Sequence, residues 1–277
     1  MYKLIVSDLD DTLVPMNSAE IPGRTKRAVQ CAMDMGYLFT VATGRIYPTA
    51  RTCIDELGIN LPVIAAGGSD IRLDHETIES FPLPDDAVAD AVRLAKKLYL
   101  TKYLFCRDEV LTVPRDRNDK LFAEWTKGAA GVSPVRYLDD EEALIEAARG
   151  RTDKVLMWAE LEDDHKEAMR AFGSFSDAVD VACGEKLNIE LTRRGINKGT
   201  ALRRIVEMLG LDLSEVVAIG DSGNDVAMLE AAGLGVAVEN AMAEATEAAD
   251  VVTYSCGRGG VGKAIEDLIL PQGRLLF

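Results

Sequence analysis

Apolar residues gather along this chain in short unbroken runs, and between the runs they fall at helical spacing. Residues 3–8, "KLIVSD", predict a buried strand, and residues 21–35, opening near Pro22, predict a helix. "YLFTVATGR" (37–45) reads as a second strand that ends in a polar turn. A short helix at 48–57 follows, then "PVIAAGG" (62–68) as a third strand ending on glycines. Apolar runs without strict alternation, separated by helices, predict mostly parallel strands with both faces covered.

The pattern changes after "FPLP" (81–84). Helical stretches at 85–99, 116–127, 140–149 and 161–172 alternate with the strand candidates "KYLFC", "EVLTVP", "PVRYL", "DKVLMWA" and "AVDVAC". The parallel-type pattern then resumes. It gives a helix at 197–211, a strand at 216–221, a helix at 224–232, a strand at 234–240 and a last strand at 251–255. The fold class expected is α/β, a doubly wound, mostly parallel, Rossmann-like core interrupted by an α/β domain. Residues 1–83 and 188–277 would form the discontinuous core and 84–187 the insertion.

Composition narrows the partners. Nearly half of the chain is apolar (48%), enough for sizeable cores. The net charge of −15 repels phosphate on average, so neither nucleic acid nor an anionic membrane is an expected partner. The five cysteines (Cys31, Cys53, Cys106, Cys183, Cys256) are scattered without a CxxC pair, which suits reduced thiols in a cytoplasm. No signal peptide opens the chain, and no apolar run approaches the roughly 18 residues of a membrane span. The two histidines, His75 and His165, stand beside acidic residues and are expected at the surface, which disfavours a histidine base.

The first strand runs straight into Asp8, Asp10 and Asp11, although a buried carboxylate is costly unless paired or bound to metal. Side chains alternate along a strand, so Asp8 and Asp10 would leave on one side and Asp11 on the other. Sites in parallel sheets form beyond the carboxyl ends of strands. "VVAIGDSGND" supplies a second such end, with Asp221 after the buried run and Asn224 and Asp225 one turn later. If the two ends are neighbours, Asp8, Asp10, Asp221 and Asp225 converge into an oxygen-only set that suits Mg²⁺.

Two further segments supply the counterpart. "ATGR" offers the Thr43 hydroxyl, the Gly44 N–H and the Arg45 charge, and "NKG" offers Lys198 at a helix start, where the dipole also favours an anion. Acids, a metal, a hydroxyl, backbone donors and cations are equipment for phosphoryl transfer. A carboxylate and a phosphate oxygen about 4 Å apart repel by roughly 4 kcal/mol at an effective dielectric of ~20. Attack by an aspartate therefore needs the metal and Lys198 to offset charge as it develops.

"DLDDT", "ATGR", "NKG" and "GDSGND", in that order, resemble the four motifs of the haloacid dehalogenase (HAD) superfamily. The segment inserted after the third strand resembles the large α/β cap of its type IIB, Cof-like phosphatases. The resemblance covers essentially the whole chain. It implies that Asp8 is the nucleophile that becomes phosphorylated and that Asp10 acts as general acid and then base. Thr43 and Lys198 would bind the phosphoryl group with help from the Gly44 backbone, Arg45 would lie near it, and Asn224 would hold the substrate phosphate. Asp221 would ligate Mg²⁺ with Asp8 and the Asp10 carbonyl, and Asp225 would complete or orient the metal shell. Many relatives read Asp-Gly-Thr where this chain has Asp10-Asp11-Thr12; Asp11 would only cap the turn.

The activity implied is Mg²⁺-dependent hydrolysis of a small-molecule phosphate ester, a sugar phosphate or phosphorylated cofactor, through an aspartyl-phosphate, with the cap closing over the site. A phosphomutase acting on a sugar phosphate is the alternative. Neither the substrate nor the oligomeric state is legible.

Each motif alone has a plainer reading as a turn, a helix cap or a surface lysine; it is the four together, at strand ends, that carry the case. "GRGGVGKA" (257–264) imitates both GxGxxG and the phosphate loop. It lacks the later acidic residue of the first and the Ser or Thr of the second, where Ala264 stands. The expectation there is a glycine-rich loop leading into a helix. The acidic stretches "DDEEALIEAAR" (139–149) and "ELEDDHKEA" (160–168) are expected to be solvated helix starts.

Overall fold

Leu4, Ile5 and Val6 have no exposed surface, and with Ser7 they form β1 (Leu4–Ser7). Full burial of each such side chain contributes about 1.5–3 kcal/mol. The computed structural model describes residues 1–15, 20–114, 135–173, 175–182 and 187–274. It divides into two units, Met1–Gly44 with Ala50–Ile78 and Asn197–Phe277, and Arg45–Thr49 with Glu79–Ile196. After β1 come α1 (Gly23–Asp34), preceded by Pro22, β2 (Leu38–Val41), α2 (Tyr47–Leu57) and β3 (Val63–Ala65). An antiparallel extension, β4 (Asp70–Leu73) and β5 (Glu76–Ser80), then folds back beside β3.

The second unit is built on one six-stranded sheet. Its described elements are α3 (Asp85–Lys97), β6 (Thr101–Cys106), β7 (Glu109–Thr112), β8 (Val135–Tyr137) and α4 (Glu141–Ala148). They continue with β9 (Lys154–Trp158), α5 (Glu162–Phe172), β10 (Val179–Ala182) and β11 (Asn188–Arg193). The order is β10-β11-β9-β6-β7-β8, antiparallel except for the parallel pair β7 and β8. Leu104, Val155, Met157, Ile189 and Leu191 form one core with Val88, Val92 and Leu144 of the helices and with Phe172. α3 carries Asp85 and Asp86 in its first turn and Lys96 and Lys97 in its last, both favourable to the helix dipole.

The chain then returns to the first unit. α6 (Lys198–Met208) precedes β12 (Val216–Gly220), and a 3₁₀ turn at Gly223–Asp225 opens α7 (Val226–Ala231). β13 (Leu234–Ala237), α8 (Ala243–Ala248), β14 (Val251–Val252) and α9 (Gly260–Ala264) complete it. The five strands run in the order β14-β13-β12-β1-β2, all parallel, with Ser7 beside Ile219 on one flank and Val41 on the other. β3 joins the β2 side through an isolated bridge between Ala42 and Ile64. Two helix groups pack separately, α1 with α9, and α6 with α7 and α8, as covering both faces of a sheet requires.

The mixed α/β class and the parallel core are as expected; several details are not. β1 stops at Ser7, so strand alternation does not extend to the aspartates; Asp11 turns the chain at φ 55° instead. β4 and β5 lack a sequence cue because their turn is Asp74-His75, both at positive φ (49° and 72°), rather than Asn-Gly. β11 was missed although Ile189 and Leu191 alternate with polar residues, and the second unit runs through it to Ile196, past residue 187. The last strand shrinks to Val251–Val252. His165 is half-buried, its Nε2 3.0 Å from the Asn188 carbonyl. The helix expected at 116–127, with Trp125, lies outside the described residues, as does Cys183. At 257–264 a Cβ on Gly260 would come within 2.0 Å of the Tyr254 carbonyl. That glycine serves backbone packing at the start of α9.

Candidate active site

The carboxyl ends of the adjacent strands β1 and β12 bring the predicted acids together. Asp8 follows β1, and its N–H bonds the Ile219 carbonyl of β12 at 2.9 Å. Asp221 follows β12. Lys198, the first residue of α6, reaches both: its Nζ donates to Asp8 Oδ1 at 2.6 Å and to Asp225 Oδ1 at 2.7 Å. Its ammonium is all but fully buried, at 1% exposure. Asn197 caps α6 by accepting from the Thr200 N–H at 2.9 Å, so the lysine is held on a well-formed helix start.

Close approach by two glycines makes this possible. A Cβ on Gly199 would lie 2.2 Å from the Ala227 carbonyl, and one on Gly220 would lie 2.6 Å from the Asp225 side chain. Asp225 is fully buried and committed: Oδ2 accepts from the N–H groups of Asp221 (3.0 Å) and Ser222 (3.1 Å), while Oδ1 takes Lys198. Its bonds shape the loop and fix the lysine, so it orients the group more than it offers a free ligand atom.

Asp8, Asp221 and Asp225 each present a carboxylate oxygen within 4.8 Å of one another. Three carboxylates face one ammonium, and the imbalance appears in the proton affinities of Asp8 and Asp221. Burial pushes Asp8 well above the usual aspartate range; Lys198 opposes this, and Asp225, Asp221 and Asp10 add to it. Burial and the Asp225 charge raise Asp221 to about 6, against the Thr12 hydroxyl that donates to it. For Lys198 burial works the other way, but Asp225 and Asp8 outweigh it and keep it protonated above the ordinary lysine value. A divalent cation on these hard oxygen donors would relieve the excess charge.

The other predicted residues are distributed as follows. Asp10 is half-buried, close enough for its charge to act on Asp8, and its backbone bridges Val14. Thr43 is fully buried, its N–H bonded to Ile64 (2.8 Å) and its carbonyl to the Gly67 N–H (2.9 Å); Gly44 follows it, half-buried. Asn224 is exposed, its Oδ1 3.3 Å from the Ser222 hydroxyl. Arg45 falls within the second unit, where Nη1 donates to the Thr49 carbonyl at 3.2 Å. Sequence reasoning passed over Thr12, whose Oγ1 donates to Asp221 Oδ1 at 2.8 Å. It also passed over Asn240, whose Nδ2 holds the Asp11 carbonyl at 2.8 Å. Thr12 was within the quoted motif; nothing near Asn240 signals its contact with a turn so distant in the chain.

Residues 5–265 match the family model of the haloacid dehalogenase-like hydrolases. A 5-amino-6-(5-phospho-D-ribitylamino)uracil phosphatase of Bacillus subtilis is 30% identical over 98% of this chain and 99% of its own. The HMP-PP phosphatase of Yersinia enterocolitica is 29% identical over 87% of this chain and 85% of its own. Among solved structures, a haloacid dehalogenase-like hydrolase from B. subtilis superposes with a TM-score of 0.83 at 26% identity, covering 96% of this chain and 100% of that one.

Proposed function

This chain belongs to the haloacid dehalogenase-like hydrolases, and from that premise we propose that it is a Mg²⁺-dependent phosphatase of small-molecule phosphomonoesters working through an aspartyl-phosphate on Asp8. The observation that carries the proposal is the buried Lys198 ammonium joining Asp8 to Asp225, with Asp221 beside them. Asp8, Asp221 and the Asp10 carbonyl would hold the cation, with Asp225 orienting the set. When bound, Mg²⁺ would supply positive charge against the developing charge on the transferring phosphoryl group.

The chain's own groups supply the rest. An Asp8 carboxylate oxygen attacks phosphorus as the ester P–O bond breaks, and Asp10 gives its proton to the departing alkoxide. Water then attacks the aspartyl-phosphate, Asp10 takes up its proton, and inorganic phosphate leaves with Asp8 regenerated. An ammonium has three N–H donors; among the described residues Lys198 uses two, on Asp8 and Asp225, and the third is proposed to meet a phosphate oxygen. Thr43, Gly44, Arg45 and Asn224 are the remaining proposed phosphate contacts.

The relatives' names support a sugar phosphate or phosphorylated cofactor as substrate. The second unit, with its own sheet and core, is proposed as the inserted cap domain. Among the described residues Cys31, Cys106 and Cys256 stand in no disulfide, which supports a cytoplasmic setting. Among the described residues no helix is long and apolar enough to cross a membrane.

Phosphate release from a panel of phosphomonoesters, with and without Mg²⁺, tests the reading. Wild type is expected to turn over only with Mg²⁺, and Asp8→Asn to lose on the order of 10³-fold or more in kcat. Equal rates in the two proteins would remove Asp8 as nucleophile. Transfer to a second sugar hydroxyl in place of phosphate release would point to a mutase.

A further inference from the structure

Asp221 is pinned at every point except one. Its N–H donates to Asp225 Oδ2 at 3.0 Å, and its carbonyl accepts from the Met242 N–H at 2.7 Å, so its backbone cannot shift without breaking the loop. The carboxylate's own rotation is what remains. Among the described residues its one hydrogen-bond donor is the Thr12 hydroxyl, at 2.8 Å to Oδ1.

Thr12 is itself held in place. It is 1% exposed and sits in a turn closed by three backbone bonds: Asp11 N–H to Val14 (2.8 Å), Leu13 N–H to Leu9 (2.9 Å) and Val14 N–H to Leu9 (2.8 Å). The left-handed Asp11 (φ 55°) tightens that turn, an arrangement aspartate tolerates better than most residues. Asn240 clamps it from outside, donating to the Asp11 carbonyl at 2.8 Å and accepting from the Cys256 N–H at 2.8 Å. The hydroxyl is thus a fixed donor aimed at a carboxylate with one free torsion.

We propose that Thr12 is a positioning residue of the metal site, its hydroxyl fixing the rotation of the Asp221 carboxylate so that the cation meets an oriented ligand. The inference rests on the reading of Asp221 as a metal ligand. A donor to a ligating carboxylate acts on affinity without touching the metal, and losing such partners costs about 10–100-fold in metal affinity or activity. Valine has threonine's shape without the donor; serine keeps the donor and loses a methyl group.

The test is Mg²⁺ titration calorimetry on the full chain, for wild type, Thr12→Val, Thr12→Ser and Asp221→Asn, with phosphate release measured alongside. Thr12→Val is expected to raise the Kd for Mg²⁺ by about 10-fold or more, and to shrink the Mg²⁺-induced rise in Tm. Thr12→Ser is expected to stay near wild type. Should the valine variant not fold, Thr12→Ala against Thr12→Ser makes the same comparison. Wild-type affinity in Thr12→Val, or equal weakening in Thr12→Ser, would overturn the role of the hydroxyl and leave the phosphatase reading intact. A wild-type protein that neither binds Mg²⁺ nor releases phosphate would overturn that reading and the inference with it.

Discussion

Lys198 and Lys102 are both buried lysines held by carboxylates, one in each unit. Lys198 meets Asp8 and Asp225 with Asp221 close by, so acid outnumbers base. Lys102, 5% exposed, meets among the described residues only Glu141, at 2.9 Å, and Glu141 also accepts from the exposed Lys96 at 2.7 Å, so base outnumbers acid there. Burial disfavours the charged Glu141, but Lys96 and Lys102 outweigh it and pull the carboxyl down to about 2. Asp221, in the other group, is raised to about 6. A satisfied cluster is structural support; an unsatisfied one is an invitation to a cation. Asp221 and Glu141 shift in opposite directions, as the balance of acid and base around each requires.

Removing each lysine separates the two clusters by the widest margin. Lys198→Met is expected to lower phosphate release by about 10²–10³-fold, since it deletes a buried donor to the developing charge. It also leaves the buried carboxylates of Asp8 and Asp225 without their cation, a loss of about 3–5 kcal/mol. Lys102→Met is expected to cost about 1–3 kcal/mol, because Glu141 keeps Lys96, and to leave turnover unchanged. Urea unfolding and phosphate-release assays on both variants measure the contrast; equal losses of activity would erase it.

The smallest effect lies in pH. Asp221 binds its proton more tightly folded than unfolded, since about 6 exceeds the ordinary 3.8. Its contribution to stability is therefore full below the unfolded value and lost as pH rises through about 6. Glu141 is the reverse: about 2 lies below the ordinary 4.5, so its contribution is present above 4.5 and lost as pH falls toward 2. Thermal melts of the metal-free protein across this range are expected to flatten on the neutral side in Asp221→Asn and on the acid side in Glu141→Gln. Mg²⁺, by replacing the proton, should also flatten the neutral side.

Asp8 and Asp221 were legible because each stands at the end of a run too apolar to be anything but a buried strand, and because four short motifs follow one another in order. Lys198 was legible as a helix start. Glu141 was misjudged as a solvated helix-start acid, because its partner Lys102 reaches it from a strand whose position the sequence does not disclose. β11 was hidden for a related reason. Its pairing with β9 and β10 is what makes "NIELTR" a strand. Thr12 was visible as a letter in a motif but not as a donor, since its acceptor lies 209 residues away. Local pattern discloses burial and element type; partners brought together by the sheet do not appear in it.

β1 has β2 on one side and β12 on the other. On the ribosome, then, the first strand is made with only one of its two neighbours, and Asp8 emerges 190 residues before Lys198. At ~5–20 residues per second that interval is on the order of 10–40 s, during which Asp8 has neither its ammonium nor the second strand end that would share a cation with it. A product truncated before α6 carries Asp8 without Lys198 and Asp225, so the carboxylate is left without the ammonium and the partner acid that surround it in the finished fold.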